Sequence, residues 1–243
     1  MRDDILAISA RLLEEGKNGE ALELCEEGLA QEESAALWVN KGVALGRLGK
    51  HEESLKAYER ALMLDPSDAD ACYNRSMPLR SMGRHDEALD NYEKTLMIDP
   101  CHYAALINLG NVRRRMKNYA GSVEAYTAAL SSVPSSAEAL YNRGSVLVLM
   151  GMMDEALADL DEAIKINPAY SKAWYARAYA LKKLGLTEEA GEAFEKALKY
   201  SLPDDVRAES LETLEELPGP EKRDECIKGV KIKIGRASCR ERV

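Results

Sequence analysis

The sequence predicts an all-α fold, a solenoid of about six helical hairpins ending in a C-terminal capping helix. Three observations carry that expectation. First, SLKAYERALMLDP (54–66) returns as ALDNYEKTLMIDP (88–100), SVEAYTAALSSVP (122–134) and ALADLDEAIKINP (156–168), each 34 residues after the last. A fifth copy, AGEAFEKALKYSLP (190–203), runs one residue longer before its proline. Second, apolar and small residues recur inside each copy at helical spacing, not in strand alternation. Third, the 243 residues are 46% hydrophobic yet only 6% aromatic, with 31% charged, which suits Ala-, Leu-, Glu- and Lys-rich helices better than a sandwich of strands.

Taken in order, residues 1–34 read as a degenerate first unit. ISARLLEEG supplies one helix and EALELCEEGLA a second, with Ala21 small and Cys25 larger, and Glu33 where later units end in proline. Regular units follow at 35–68, 69–102, 103–136, 137–170 and 171–204. Position 4 is mostly bulky (Trp38, Cys72, Leu106, Leu140, Trp174) and position 8 small (Gly42, Ser76, Gly110, Gly144, Ala178). Position 20 is small again (Ser54, Ala88, Ser122, Ala156, Ala190) and position 24 large (Tyr58, Tyr92, Tyr126, Leu160, Phe194). Positions 4, 7, 8 and 11 share a face of a first helix; 20, 24, 27 and 28 share a face of a second. Small side chains at 8 and 20 let the two helices approach, while large ones at 4 and 24 fill the space beside them. Gly49, Gly83, Gly151 and Gly185 fall between the helices, where a left-handed C-terminal cap is wanted. Pro66, Pro100, Pro134 and Pro168 end the second helices by withholding a donor. Pro78 breaks the pattern inside a first helix: it removes the bond to the carbonyl of Asn74, so it reads either as drift in a well-supported repeat or as a bend in the groove. Val206, Leu211 and Leu214 fall on one side of 205–217, as expected of a helix capping the last unit. Residues 218–232 read as linker or disordered segment. Residues 234–243, IGRASCRERV, resemble a translated sequencing adapter, so 233–243 are expected to be a non-native tail and natural coding is expected to be able to continue past Ile232.

The 34-residue period, with all these slots in phase over 35–204, resembles the tetratricopeptide repeat family. The resemblance implies a right-handed α-solenoid whose first helices line a concave groove, and a protein-interaction scaffold that binds an extended peptide segment there. The residues assigned to that groove lie at positions 5 and 6. Asn40, Asn74, Asn108 and Asn142 form one row, and an amide offers both donors and an acceptor to a peptide backbone. Tyr73, Tyr141 and Tyr175 form the other, offering apolar contact with a polar tip. The row reads equally as local capping without a binding role. A carboxylate clamp of the co-chaperone type is matched only in part: Asn111, Asn142 and Lys172 fit, while Ile107 and Ala176 stand where a Lys and an Arg are required. Losing two of three cations removes most of the charge-assisted binding. Lys41, Arg75, Arg143 and Arg177 share position 7, where their stems are expected to cover the core and their heads to reach outward. The basic run NVRRRMKN (111–118) reads as a solvated helix face or an anchor for an acidic segment.

Chemistry is scarce. There is no phosphate loop, no nucleophile elbow and no metal-ligand spacing, so no catalytic residue, metal or cofactor is expected and the part present is not expected to be an enzyme. His51 and His85 occupy one slot in neighbouring units but lack further ligands. A net charge of −9 argues against nucleic acid. No stretch has the length of a membrane span or the form of a signal peptide, and five cysteines without framework spacing fit reduced thiols in a cytoplasmic setting. Protein or peptide partners are therefore expected, with self-association possible through the solenoid. The alternative function is a targeting arm of a longer, truncated multidomain enzyme.

Overall fold

The computed structural model describes residues 2–200 and 204–216; the linker and tail segments beyond lie outside the described residues. All thirteen described elements are helices. They run α1 (Arg2–Glu14), α2 (Asn18–Gln31), α3 (Ala35–Arg47), α4 (His51–Leu64), α5 (Ala69–Ser81), α6 (His85–Ile98) and α7 (Tyr103–Arg115). Then follow α8 (Tyr119–Ser132), α9 (Ala137–Met150), α10 (Met153–Ile166), α11 (Ser171–Lys183), α12 (Thr187–Lys199) and α13 (Asp204–Glu216). The chain divides into two compact units, Met1–Val112 and Arg113–Val243.

In the first unit α1 pairs with α2, α3 with α4 and α5 with α6, and each hairpin lies on its successor through α2 against α3 and α4 against α5. The small slots explain how closely these helices come. A Cβ added to Gly42 would stand 2.8 Å from two carbons of the Tyr58 ring. The Ser54 hydroxyl, opposite it on α4, donates to the Gly42 carbonyl at 2.6 Å. Tyr58 and Tyr92 fill the spaces beside these contacts, 2% and 0% exposed. Leu13 of α1 and Ala21 of α2 pack with Ala44 of α3.

In the second unit α9 pairs with α10 and α11 with α12, and α13 packs on α12. Gly144 faces Leu160 and the Ala156 carbonyl, either of which an added Cβ would crowd. Leu211 and Leu214 of α13 join Phe194 and Leu198 of α12 in one buried cluster, with Val206 against its side. The last hairpin therefore does not present its apolar face to water, which is the reason a helix follows it.

The turns inside the hairpins show why glycine recurs there. Gly49, Gly83, Gly151 and Gly185 all have φ between +76° and +79°. The repeat at 103–136 has no glycine at that slot, and Lys117 adopts φ +61° in its place. A side chain in the left-handed region is disfavoured by the clash of Cβ with the backbone. Replacing Lys117 by Gly is expected to stabilise the protein by roughly 0.5–1 kcal/mol, net of the greater flexibility of glycine in the unfolded chain. Urea unfolding followed by circular dichroism checks this; a lower midpoint would mean the turn is held by contacts of the Lys117 stem. Pro78, by contrast, does not interrupt its helix, since α5 runs continuously from Ala69 to Ser81 with Pro78 buried inside it.

Candidate functional site

The asparagine row divides into two kinds. Asn40 donates through Nδ2 to the Ser9 hydroxyl at 2.9 Å, and Ser9 is itself fully buried. Asn108 is engaged at both ends: its Nδ2 donates to the Tyr73 hydroxyl at 2.9 Å and its Oδ1 accepts from Arg80 Nη1 at 2.9 Å. Asn108 is therefore committed to the preceding hairpin through both ends of its amide, and Asn40 through one N–H. Asn74 and Asn142 are partly buried, and among the described residues neither amide has a side-chain hydrogen bond. These two retain both functions of the amide for a ligand.

The tyrosines are likewise placed by neighbours. The Tyr73 ring lies 6.1 Å from that of Tyr92 and 4.8 Å from the imidazole of His102. His102 Nδ1 accepts the backbone N–H of Ala105 at 3.1 Å, so the ring proton sits on Nε2 and points at Asp70, 3.2 Å away. Tyr141 packs against Tyr170 at 5.1 Å, and Tyr175 meets the edge of Phe194 at 5.9 Å. Each ring is partly buried. Arg80 and His102 are parts of this surface that spacing did not single out; Arg80 was legible only as a long cation at position 12.

The position-7 cations do not reach outward as expected. Lys41 pairs with Glu26 at 2.8 Å, Arg75 with Glu59 at 3.0 Å, Arg143 with Asp159 at 2.7 Å and Arg177 with Asp161 at 2.5 Å. The acids come from second helices: Glu26, Glu59 and Asp161 are about half exposed, whereas Asp159 is buried. Those cations are thus neutralised in place. Lys172 stays exposed and Asn111 partly buried, while Ile107, at the place of a clamp lysine, is 5% exposed.

A cavity of about 250 Å³ opens beside Asn74, between α3, α4 and α5. Arg47, His51 and Asn74 contribute polar groups to its wall; Met77 and Pro78 contribute apolar ones, and Gly46 forms part of its side. The Nδ1 of His51 is buried without a hydrogen-bond partner.

Other reactive groups are dispersed. Cys25 and Cys72 are buried and free, and burial pushes both thiols above their ordinary range; Cys101 is exposed. Among the described residues no cluster of three or more His, Cys, Asp or Glu is placed to hold a metal ion. None of the described helices is long and apolar enough to cross a membrane.

Two profiles described as tetratricopeptide repeat match the chain, one over residues 35–68 and 137–170, the other over 69–101 and 171–203. No curated protein matches it. Among solved structures, a tetratricopeptide repeat protein from Parabacteroides merdae ATCC 43184 is 20% identical with a TM-score of 0.68, covering 95% of this chain and 98% of its own. PilF of Pseudomonas aeruginosa is 18% identical with a TM-score of 0.69, covering 84% and 91%. YrrB, a tetratricopeptide repeat protein with an unusual peptide-binding site, is 23% identical with a TM-score of 0.66, covering 79% and 96%. At these identities the likeness is one of fold.

Proposed function

This chain belongs to the tetratricopeptide repeat family, and from that premise we propose that it is a protein-interaction scaffold holding an extended peptide segment of a partner along its first helices. The observation that carries the reading is the pair of amides at Asn74 and Asn142, partly exposed and uncommitted to the protein's own hydrogen bonds. An extended peptide presents alternating N–H and C=O groups, and an uncommitted amide meets one of each. Asn40 and Asn108 then serve a different purpose, fixing one hairpin on the next so that the surface keeps its form. YrrB, whose fold this chain shares, has a peptide-binding site, which supports the same use of the scaffold. Binding without catalysis suits a surface whose position-7 cations are already paired and whose described thiols are mostly buried. A cytoplasmic setting with reduced thiols remains part of this proposal.

Panning a phage-displayed library of random peptides on the purified protein tests it. Selected peptides, assayed by fluorescence anisotropy, are expected to lose about tenfold in affinity or more when Asn74 or Asn142 becomes Ala, through the loss of hydrogen bonds to a bound backbone. Asn108→Ala is expected to act mainly on stability. Failure to enrich any peptide, or affinities indifferent to both Asn74→Ala and Asn142→Ala, would overturn the reading.

A further inference from the structure

The cavity beside Asn74 exists because one arm is missing. In the following hairpin, Arg80 at position 12 reaches across to Asn108, and Tyr73 at position 5 supplies the second partner. The residues in those two places one repeat earlier are Gly46 and Val39. Neither offers a hydrogen-bonding side chain, so Asn74 stays uncommitted and the volume an arginine would occupy is open. Pro78 lies in the wall of the same cavity and has no N–H to give, so the Asn74 carbonyl lacks its helical donor.

The resulting wall carries donors and acceptors together. Arg47 Nη1 is bound to the Leu13 carbonyl, and among the described residues its other N–H groups have no partner. The Asn74 amide offers two more donors. The Asn74 side-chain Oδ1 is an acceptor without a partner among the described residues, and the Asn74 backbone carbonyl lacks its helical donor. Beside them, Met77 and Pro78 give an apolar lining. A carboxylate satisfies only the donors, an ammonium only the acceptors, and an alkyl group neither. A primary carboxamide satisfies both.

We propose that this cavity is a glutamine-selective subsite, which takes the carboxamide of a peptide glutamine with its methylene stem against Met77 and Pro78. The inference rests on the peptide-groove reading above and adds the side chain that the groove selects.

Three capped probes test it in heteronuclear NMR titrations of the whole protein: N-acetylglutamine methylamide, N-acetylglutamate methylamide and N-acetylmethionine methylamide. The glutamine probe is expected to move the Asn74 side-chain amide and the Gly46 backbone N–H. It should bind about tenfold more tightly than either of the others, since a site built to pair polar groups rejects an analogue that leaves them unpaired. Gly46→Arg restores the missing arm and is expected to abolish these shifts; an added Cβ there stands 3.3 Å from the Ser54 hydroxyl, a contact a small adjustment relieves. Should that variant fold poorly, Asn74→Leu keeps the volume and should erase the preference for glutamine over methionine. Tighter binding of the glutamate probe, equal binding of the methionine probe, or no response to any probe would each overturn the subsite. Selected peptides that depend on Asn142 but ignore Gly46→Arg would sink the subsite and leave the groove standing. A responding glutamine probe with no selectable peptide would do the reverse.

Discussion

Replacing Arg143 by Ala is expected to destabilise the protein by roughly 3 kcal/mol, while the same change at Arg177 costs under about 1 kcal/mol. The two arginines occupy the same repeat position, and their difference lies in what they meet. Arg143 grips Asp159 with two parallel bonds, Nε to Oδ2 and Nη2 to Oδ1, both 2.7 Å, and a third N–H reaches the Thr127 hydroxyl at 3.1 Å. The Asp159 side chain is only 9% exposed, whereas Asp161, opposite Arg177, is 55% exposed. Removing Arg143 strands a buried carboxylate; removing Arg177 leaves its partner in water. Because the penalty comes from the stranded charge, Arg143→Met together with Asp159→Leu should recover most of the loss. Urea unfolding of the three variants decides the matter. Equal costs at Arg143 and Arg177 would show that the bidentate pair carries no more weight than a surface contact.

The contrast also shows what could be read from the sequence and what could not. Periodicity located the hairpins because each slot has a steric purpose that the residue itself declares: glycine at 42 and 144 leaves room, tyrosine at 58 and 92 fills it. Hydrogen-bond partners are not declared in that way. Asn74 and Asn108 look alike in the sequence, yet their states differ with positions 5 and 12 of the unit before. Where those hold Tyr73 and Arg80, the amide is consumed; where they hold Val39 and Gly46, it is not. Asn40 is held instead by Ser9, and Asn142 stays uncommitted although Arg114 stands at position 12 of the unit before it, so a row visible along one column takes its chemistry from particular neighbours in other columns. The position-7 cations follow the same logic, since their acids stand on second helices, 15 or 16 residues away. Lys117 marks the opposite case: the missing glycine is plain in the sequence, and the backbone takes the same turn regardless.

Strongly alkaline solution is expected to unfold the protein through the tyrosines that fill its hairpins. Tyr58, Tyr92 and Tyr126 are at most 2% exposed. Burial holds all three phenols protonated above their ordinary range, because a phenolate there would lose its hydration. The proton therefore binds the folded state more tightly than the unfolded one. The stability this provides is fully present below the unfolded value near pH 10 and is lost as pH rises beyond it toward the folded values. Each such phenol contributes a slope of about 1.4 kcal/mol per pH unit in that window, so three acting together reach about 4 kcal/mol per unit. That loss acts against a stability typical of domains, roughly 5–15 kcal/mol, so the helices are expected to melt in strongly alkaline solution. Phenolate absorbance from these three should accordingly appear in one step with the loss of helical dichroism. Tyr92→Phe removes one of the three titrations. It also removes a hydroxyl that is buried without an aligned hydrogen-bond partner, at little cost to packing. Its unfolding step should therefore move to higher pH and become shallower. If all the tyrosines titrated near pH 10 with the helices intact, the phenols would be open to water, and the close packing of Tyr58 against Gly42 would have to be abandoned with them.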